Sequence, residues 1–171
     1  MRWQLGRAAA QHLGRITLVA LLALAGYEGY SSRPYKDQAG VWTNGYGNTV
    51  NVGPHTPPVT HEQATTTLQA HVDTFTVAVL RALAPPPTQG QLDAYVSLTF
   101  NIGAGAFRGS STAKAHRAGD FYGACLYMLR WDKITVNGAL VRNRGLAIRR
   151  YGEYNTCLTG IPNTGYVPRR K

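Results

Sequence analysis

Three side chains near the N-terminal end have types and spacing suited to acid–base chemistry. Glutamate is scarce: only Glu28, Glu62 and Glu153 occur in 171 residues. Glu62 belongs to a helix start, because Thr60-His61-Glu62-Gln63 reads as a capping box. Glu28 follows the apolar run Ile16–Tyr27 and precedes the turn-formers Gly29, Ser31, Ser32 and Pro34. A carboxyl at the end of an apolar helix is partly desolvated, which favours its protonated form and suits a general acid. The competing reading is that Glu28 only marks where a helix meets water.

Nine residues on stands Asp37, followed by Gln38-Ala39-Gly40 and then Val41-Trp42-Thr43. Tyr35–Asp37, a three-residue turn and Val41–Thr43 make the pattern of a hairpin. In it Asp37 faces Val41, and Thr43 sits on the same face one pair further along. Such a diagonal spans about 7–8 Å at Cα, so a carboxylate and a hydroxyl can share one water. An acid on one side and a water-holding base on the other suits glycosidic hydrolysis with inversion, which needs carboxyls roughly 6.5–9.5 Å apart.

The elements that must position these groups divide the chain in three. Residues 28–60 are rich in Gly, Tyr, Asn, Thr and Pro and read as a small sheet with loops. Residues 60–160 read as helices. One opens at Thr60, with Ala64, Leu68, Val72, Phe75 and Val79 on one face, and ends at Pro85-Pro86-Pro87. A second opens at the capping box Thr88–Gln91, with Leu92, Tyr95, Val96 and Phe100 inward. A third, capped by Asp120, carries Ala124, Cys125, Met128 and Leu129, and a last one runs from about Gly145 to Leu158. Residues 161–171 lack periodicity, end in Arg169-Arg170-Lys171 and read as a basic mobile tail.

At the other end, Arg2, Arg7 and Arg15 are the only charges before Glu28. The 12-residue run Ile16–Tyr27 falls short of the roughly 20 residues of a spanning helix. Extending it back to Ala8 takes in Gln11, His12 and Arg15. A secretory signal with Ala23-Leu24-Ala25 as cleavage site, a weak membrane anchor and a buried helix all remain open.

With 44% hydrophobic and 15% charged residues, a disordered or collagen-like chain is excluded, and the presence of one apolar run excludes a polytopic membrane chain. Two cysteines without a C-x-x-C cannot build a four-ligand zinc site, and the five histidines lack metal spacing; His61 and His71 read as surface or helix-boundary residues. Of the net charge of +10, +9 falls in residues 101–171, which attracts polyanions or simply aids solubility. No nucleic-acid recognition motif accompanies it.

Glu28, eight residues, Asp37, five residues, Thr43 resembles the catalytic triad of phage-type lysozymes, glycoside hydrolase family 24. Pro34-Tyr35-Lys36-Asp37, Gly40-Val41-Trp42-Thr43 and Gly45-Tyr46-Gly47-Asn48-Thr49 match the triad's surroundings. Asn101-Ile102-Gly103-Ala104-Gly105-Ala106-Phe107, Arg130-Trp131 and Gly145-Leu146 with Arg149, Arg150 and Glu153 are similar to later landmarks of that family. The resemblance covers about residues 26–158. It implies an α+β, lysozyme-like domain over 28–160: an N-terminal helix ending at Glu28, a small antiparallel sheet and a mainly helical C-terminal lobe. It implies an endolysin, a muramidase cleaving the β-1,4 bond between N-acetylmuramic acid and N-acetylglucosamine, acting as a monomer without a cofactor. Glu28 would protonate the leaving oxygen, and Asp37, helped by Thr43, would activate water. Asn48 stands where many relatives carry His, and Asp132–Leu140 replaces a Gly-rich stretch.

Residues 1–27 resemble the segment of signal-anchor-release endolysins, with transient inner-membrane association through 8–27 at the periplasmic face and later release to the periplasm. The alternative is a buried helix in an enzyme waiting in the host cytoplasm for a holin pore. Cleavage after Ala25 would strip the helix that positions Glu28. In the periplasm a Cys125–Cys157 disulfide is permitted, the alternative being two buried thiols. Arg142, Arg144, Arg149 and Arg150 would contact anionic peptidoglycan or membrane, or form a solvated helix face with salt bridges to Glu153. Two rival activities remain: a lytic transglycosylase, and a cationic membrane-active or wall-binding protein.

Overall fold

The computed structural model describes residues 16–37 and 40–161. The first 15 residues, most of the expected basic tail and two of the three expected turn residues, Gln38 and Ala39, lie outside the described residues. The chain divides into two compact units, with the boundary between Thr74 and Phe75.

In residues 17–74, helix α1 (Leu18–Glu28) starts where the Thr17 hydroxyl accepts the Ala20 N–H at 3.1 Å. Leu21 and Leu24 are buried, whereas Ala23, Gly26 and Tyr27 face solvent. The described part of the N-terminal apolar run is thus an 11-residue helix of the folded chain. Among the described residues no helix is long and apolar enough to cross a membrane. Strands β1 (Ser31–Lys36) and β2 (Trp42–Gly45) pair antiparallel, with Tyr35 opposite Thr43 and Lys36 opposite Trp42. Strand β1 is longer than the sequence pattern implies. It takes in Pro34, which a two-stranded ribbon tolerates on its open edge, and a bulge falls between Ser31 and Tyr35. Helix α2 (His61–Ala82) begins in a complete capping box: Gln63 N–H donates to Thr60 Oγ1, and Thr60 N–H donates to Gln63 Oε1. Its apolar face buries Ala64, Leu68, Val72 and Val79; Phe75 is half-buried and meets Phe100 edge-on.

From Phe75 on the chain is mainly helical: the end of α2 is followed by α3 (Gln89–Ile102), α4 (Ala104–Gly109), α5 (Ser111–Arg117), α6 (Phe121–Met128) and α7 (Arg144–Thr159). Helix α3 buries nine consecutive residues, Gln91 to Thr99, the pattern of a central core helix. Asp120 caps α6 by accepting the Gly123 N–H at 2.8 Å. The short α4 and α5 carry too little periodicity to be separated in sequence. Between α6 and α7 lies a hairpin, β3 (Lys133–Val136) and β4 (Ala139–Arg142), where the sequence pattern marked no element. Asn137 and Gly138, both at positive φ, close it in the two-residue turn their types favour.

A buried ion cluster ties α7 to α3. Glu153 Oε1 takes Arg150 Nη2 at 2.7 Å, Arg149 Nε at 3.2 Å and the Ser97 hydroxyl at 2.6 Å. Arg149 also donates to the Ser97 carbonyl, and Arg150 to Asn101 Oδ1. Burial pushes the Glu153 carboxyl up, against the pull of Arg150, Ser97 and Arg149. The expected salt bridges to Glu153 form, from Arg149 and Arg150, and Arg142 and Arg144 are exposed; the expected solvated face is corrected at Arg149 and Arg150 alone. Arg149 and Arg150 are buried because their charge is met inside the protein, and Arg142 pairs with Asp132 at 2.7 Å. Cys125 on α6 and Cys157 on α7 are joined in a disulfide, with 5.7 Å between their Cα atoms. A loop spanning 32 positions corresponds to roughly 3–4 kcal/mol of chain entropy removed from the unfolded state.

His116 is wholly buried beside Tyr95, Phe121 and Arg117. A carbonyl only accepts, so Nε2–H donates to Pro85 O at 2.8 Å, and neutral Nδ1 accepts the Tyr95 hydroxyl at 3.3 Å. Burial lowers its pKa from the usual 6.5; the Pro85 bond opposes this and the Arg117 charge adds to it. The unfolded chain then binds the proton more readily, so stability is full above about 6.5 and is lost as pH falls below it. Urea unfolding of wild type between pH 7.5 and 5 should show this loss, and His116→Gln should lack that part of the slope. Equal slopes in the two proteins would refute it.

Candidate active site

Glu28 is the last residue of α1. Gly29, at φ +70°, turns the chain off the helix axis while its N–H closes the last turn on Ala25 O at 3.1 Å. The carboxyl is half-buried and faces a cavity of about 330 Å³ lined by Glu28, Gly29, Tyr30, Ser31 and Tyr35. Gly47 stands beside the carboxyl: a Cβ there would lie 3.4 Å from Glu28 Oε2.

Asp37 ends the first arm of the hairpin. Its N–H donates to Val41 O at 3.0 Å, and its Oδ1 accepts the Val41 N–H at 2.9 Å. Gly40 N–H closes the turn on Asp37 O. These bonds extend the Lys36–Trp42 register by one pair, so Asp37 faces Val41 and lies diagonal to Thr43. Thr43 is 3% exposed and donates its hydroxyl proton to Val41 O at 3.1 Å. With that proton engaged, the oxygen is left to accept from a bound molecule. The structure thus brings Asp37 and Thr43 together across one turn. Glu28 belongs to the same unit as both.

The other two glutamates fall elsewhere. Glu62 is exposed in the first turn of α2, and Glu153 belongs to the ion cluster of α7. Asn48 braces the loop after β2: it bridges Asn44 through the backbone and through a 3.1 Å side-chain bond, and accepts the Val50 N–H. Sequence reasoning missed the partners of His61. Its ring stacks on Tyr30, and its Nδ1 meets the Tyr46 hydroxyl at 3.2 Å. No spacing signal links residues so far apart in the chain. A larger cavity, about 610 Å³, is lined by residues of the second unit and includes none of the three candidate residues. Among the described residues no group of three or more His, Cys, Asp or Glu is placed to hold a metal ion.

The loop bearing Gly47 depends on Gly45. At φ +58°, a Cβ on Gly45 would lie 3.1 Å from the Ala64 Cβ, against a side chain that cannot rotate away. Gly45→Ala should cost about 1–3 kcal/mol, from the left-handed backbone and the clash together. Denaturant unfolding checks this; an unchanged midpoint would contradict the packing described.

Residues 25–153 match the Phage lysozyme family. An endolysin of Acyrthosiphon pisum secondary endosymbiont phage 1 is 38% identical over 135 residues, 78% of this chain and 90% of that protein. A SAR-endolysin of Enterobacteria phage PA-2 is 34% identical over 166 residues, 90% of this chain and 93% of that one. The solved endolysin from Escherichia coli O157:H7 phage FAHEc1 superposes with a TM-score of 0.78 at 37% identity, covering 86% of this chain and 95% of its own. The matched stretch runs from before Glu28, through Asp37 and Thr43, to Glu153 of the ion cluster, and on that ground the chain belongs to the phage lysozyme family.

Proposed function

We infer that this protein is an endolysin, a muramidase hydrolysing the β-1,4 bond between N-acetylmuramic acid and N-acetylglucosamine of peptidoglycan for host lysis. The observation that carries the reading is the placement of Asp37 diagonal to Thr43, in the same unit as a half-buried Glu28 at a helix end, within a stretch that matches the family. Glu28 protonates the leaving glycosidic oxygen. Asp37, held by the Val41 N–H, takes a proton from water as the water attacks the anomeric carbon. Thr43, its own proton committed to Val41 O, accepts a hydrogen bond from that water and orients it. Attack by water opposite the leaving group inverts the anomeric centre.

The test is mass spectrometry of the ends released from purified peptidoglycan. Wild type should release reducing N-acetylmuramic ends, and Glu28→Gln should lose at least 100-fold, the scale of general acid catalysis. Anhydro-muramic ends would make the protein a lytic transglycosylase and strip Asp37 of its role. No new ends, where cells still lyse, would leave a cationic membrane-active protein.

Residues 8–27 hold the protein at the periplasmic face of the inner membrane until release. The likeness to a SAR-endolysin over 90% of the chain supports this, as does the uncharged run from Ile16 to Tyr27. On release the same run supplies α1 and with it the position of Glu28. Fractionation of cells making the full chain should recover it first in the membrane and, after depolarisation, in the periplasm. Recovery from the cytoplasm throughout would sink the anchor and favour holin-dependent escape.

A further inference from the structure

Within residues 17–74, one cluster of polar aromatic side chains takes no part in the steps above. His61, the first residue of α2, lies at its centre. The Tyr30 ring stacks on the imidazole with centroids 3.6 Å apart and planes 20° apart. The Tyr30 hydroxyl donates to Val59 O at 2.7 Å, which holds the ring in that plane. The imidazole Nδ1 also meets the Tyr46 hydroxyl at 3.2 Å, and the Tyr46 ring centroid lies 5.5 Å from that of Tyr30.

The neighbours of those tyrosines give the cluster its meaning. Tyr30 follows Glu28 by two residues, across the turn at Gly29. Tyr46 precedes Gly47, the residue that stands against Glu28 Oε2. One imidazole therefore holds the two backbone segments that flank the Glu28 carboxyl. Gly45 and Gly47 are both at positive φ, and glycine has the widest backbone freedom of any residue. Local sequence cannot set where that turn sits. Gly45 against Ala64 and the Asn44–Asn48 bridge hold its base, and the Tyr46–His61 bond holds its tip. A phenylalanine at 61 would keep the stack and lose the bond; an aliphatic residue would lose both. Histidine supplies an aromatic face and a hydrogen-bonding nitrogen at once.

We propose that His61 is a positioning residue for the catalytic acid: through Tyr30 and Tyr46 it clamps the Gly45–Gly47 turn against the Glu28 carboxyl and gives that carboxyl a single placement. The inference rests on the reading of Glu28 as the acid. Displacing a catalytic group by an ångström costs turnover rather than binding, so the effect falls on kcat.

The experiment compares full-length wild type, His61→Phe, Tyr46→Phe, the double variant and Glu28→Gln on soluble, uncrosslinked peptidoglycan strands. Release of reducing ends gives kcat and KM, and thermal melting reports the fold. Each single variant should lower kcat roughly three- to tenfold, the scale of one hydrogen bond, with KM within about twofold of wild type. The double variant should fall no further than the lower single, because both remove the same bond. If His61→Phe melts early, Tyr46→Phe carries the test, since it deletes one hydroxyl and keeps the ring. Wild-type kcat in folded single variants, a loss confined to KM, or losses that multiply in the double variant would each overturn the proposal. A wild type no more active than Glu28→Gln would overturn the reading of Glu28 itself, and the clamp with it.

Discussion

The helical unit depends on one carboxylate. Glu153 lies on α7 with two arginines of its own helix and a serine of α3 converging on a single oxygen. Two guanidiniums and one carboxylate inside a protein are expensive to desolvate, and their attraction offsets that cost only where the remaining donors find acceptors. Here they do in part: the Ser97 carbonyl and Asn101 Oδ1 take further arginine N–H groups, while the second carboxylate oxygen, Glu153 Oε2, is buried without a hydrogen-bond partner among the described residues. The cluster is directional where apolar packing is not, so it specifies how α3 and α7 meet along their lengths. The disulfide between α6 and α7 then fixes the far part of α7 covalently.

Residues 17–74 are built on another principle. The catalytic candidates there sit on a helix end, a hairpin turn and a short strand, and hydrogen bonds rather than bulk burial place them. The Asp37 carboxylate takes the Val41 N–H, and the Thr43 hydroxyl is tied to the Val41 carbonyl. One residue, Val41, thus orients both groups through its two backbone polar atoms, and its own side chain is exposed. The glycines beside the site serve the same end by a different route. At Gly45 and Gly47 the backbone reaches positive φ, which most residues with a side chain adopt only at a cost, and the missing Cβ lets it approach Ala64 and Glu28.

Under the anchoring proposal, the apolar run before Glu28 has two tasks that pull in different directions. A membrane segment needs length and hydrophobicity, whereas a helix of a folded domain needs one buried side. As α1 it buries Leu21 and Leu24 and leaves Ala23, Gly26 and Tyr27 in solvent. Ala23 and Gly26 on the open side help reconcile the two, since they expose little apolar area to water and remain tolerable in lipid, and Tyr27 beside them carries a polar hydroxyl. In the reading proposed above, the segment that keeps the enzyme from the cell wall is also the one that later carries its acid.

Much of this was legible in the residues alone. Both capping boxes, the Asp120 cap and the Asp37–Thr43 diagonal follow from short-range rules, because the groups involved are close in sequence and their geometry is set by local backbone periodicity. The Asn137-Gly138 turn was equally local and went unread, although its residue types mark a hairpin. Tertiary structure alone decided which charges are spent inside. An arginine cluster in sequence looks like a solvated face until Ser97 and Asn101, some fifty residues away, supply the partners that make its burial affordable. It alone decided the company of His61 as well, because stacking on Tyr30 and bonding to Tyr46 need the chain to return from 31 and 15 positions away. Residue types and spacing thus determined which groups could do the chemistry; only the fold, by closing those long loops, decided what stands beside them.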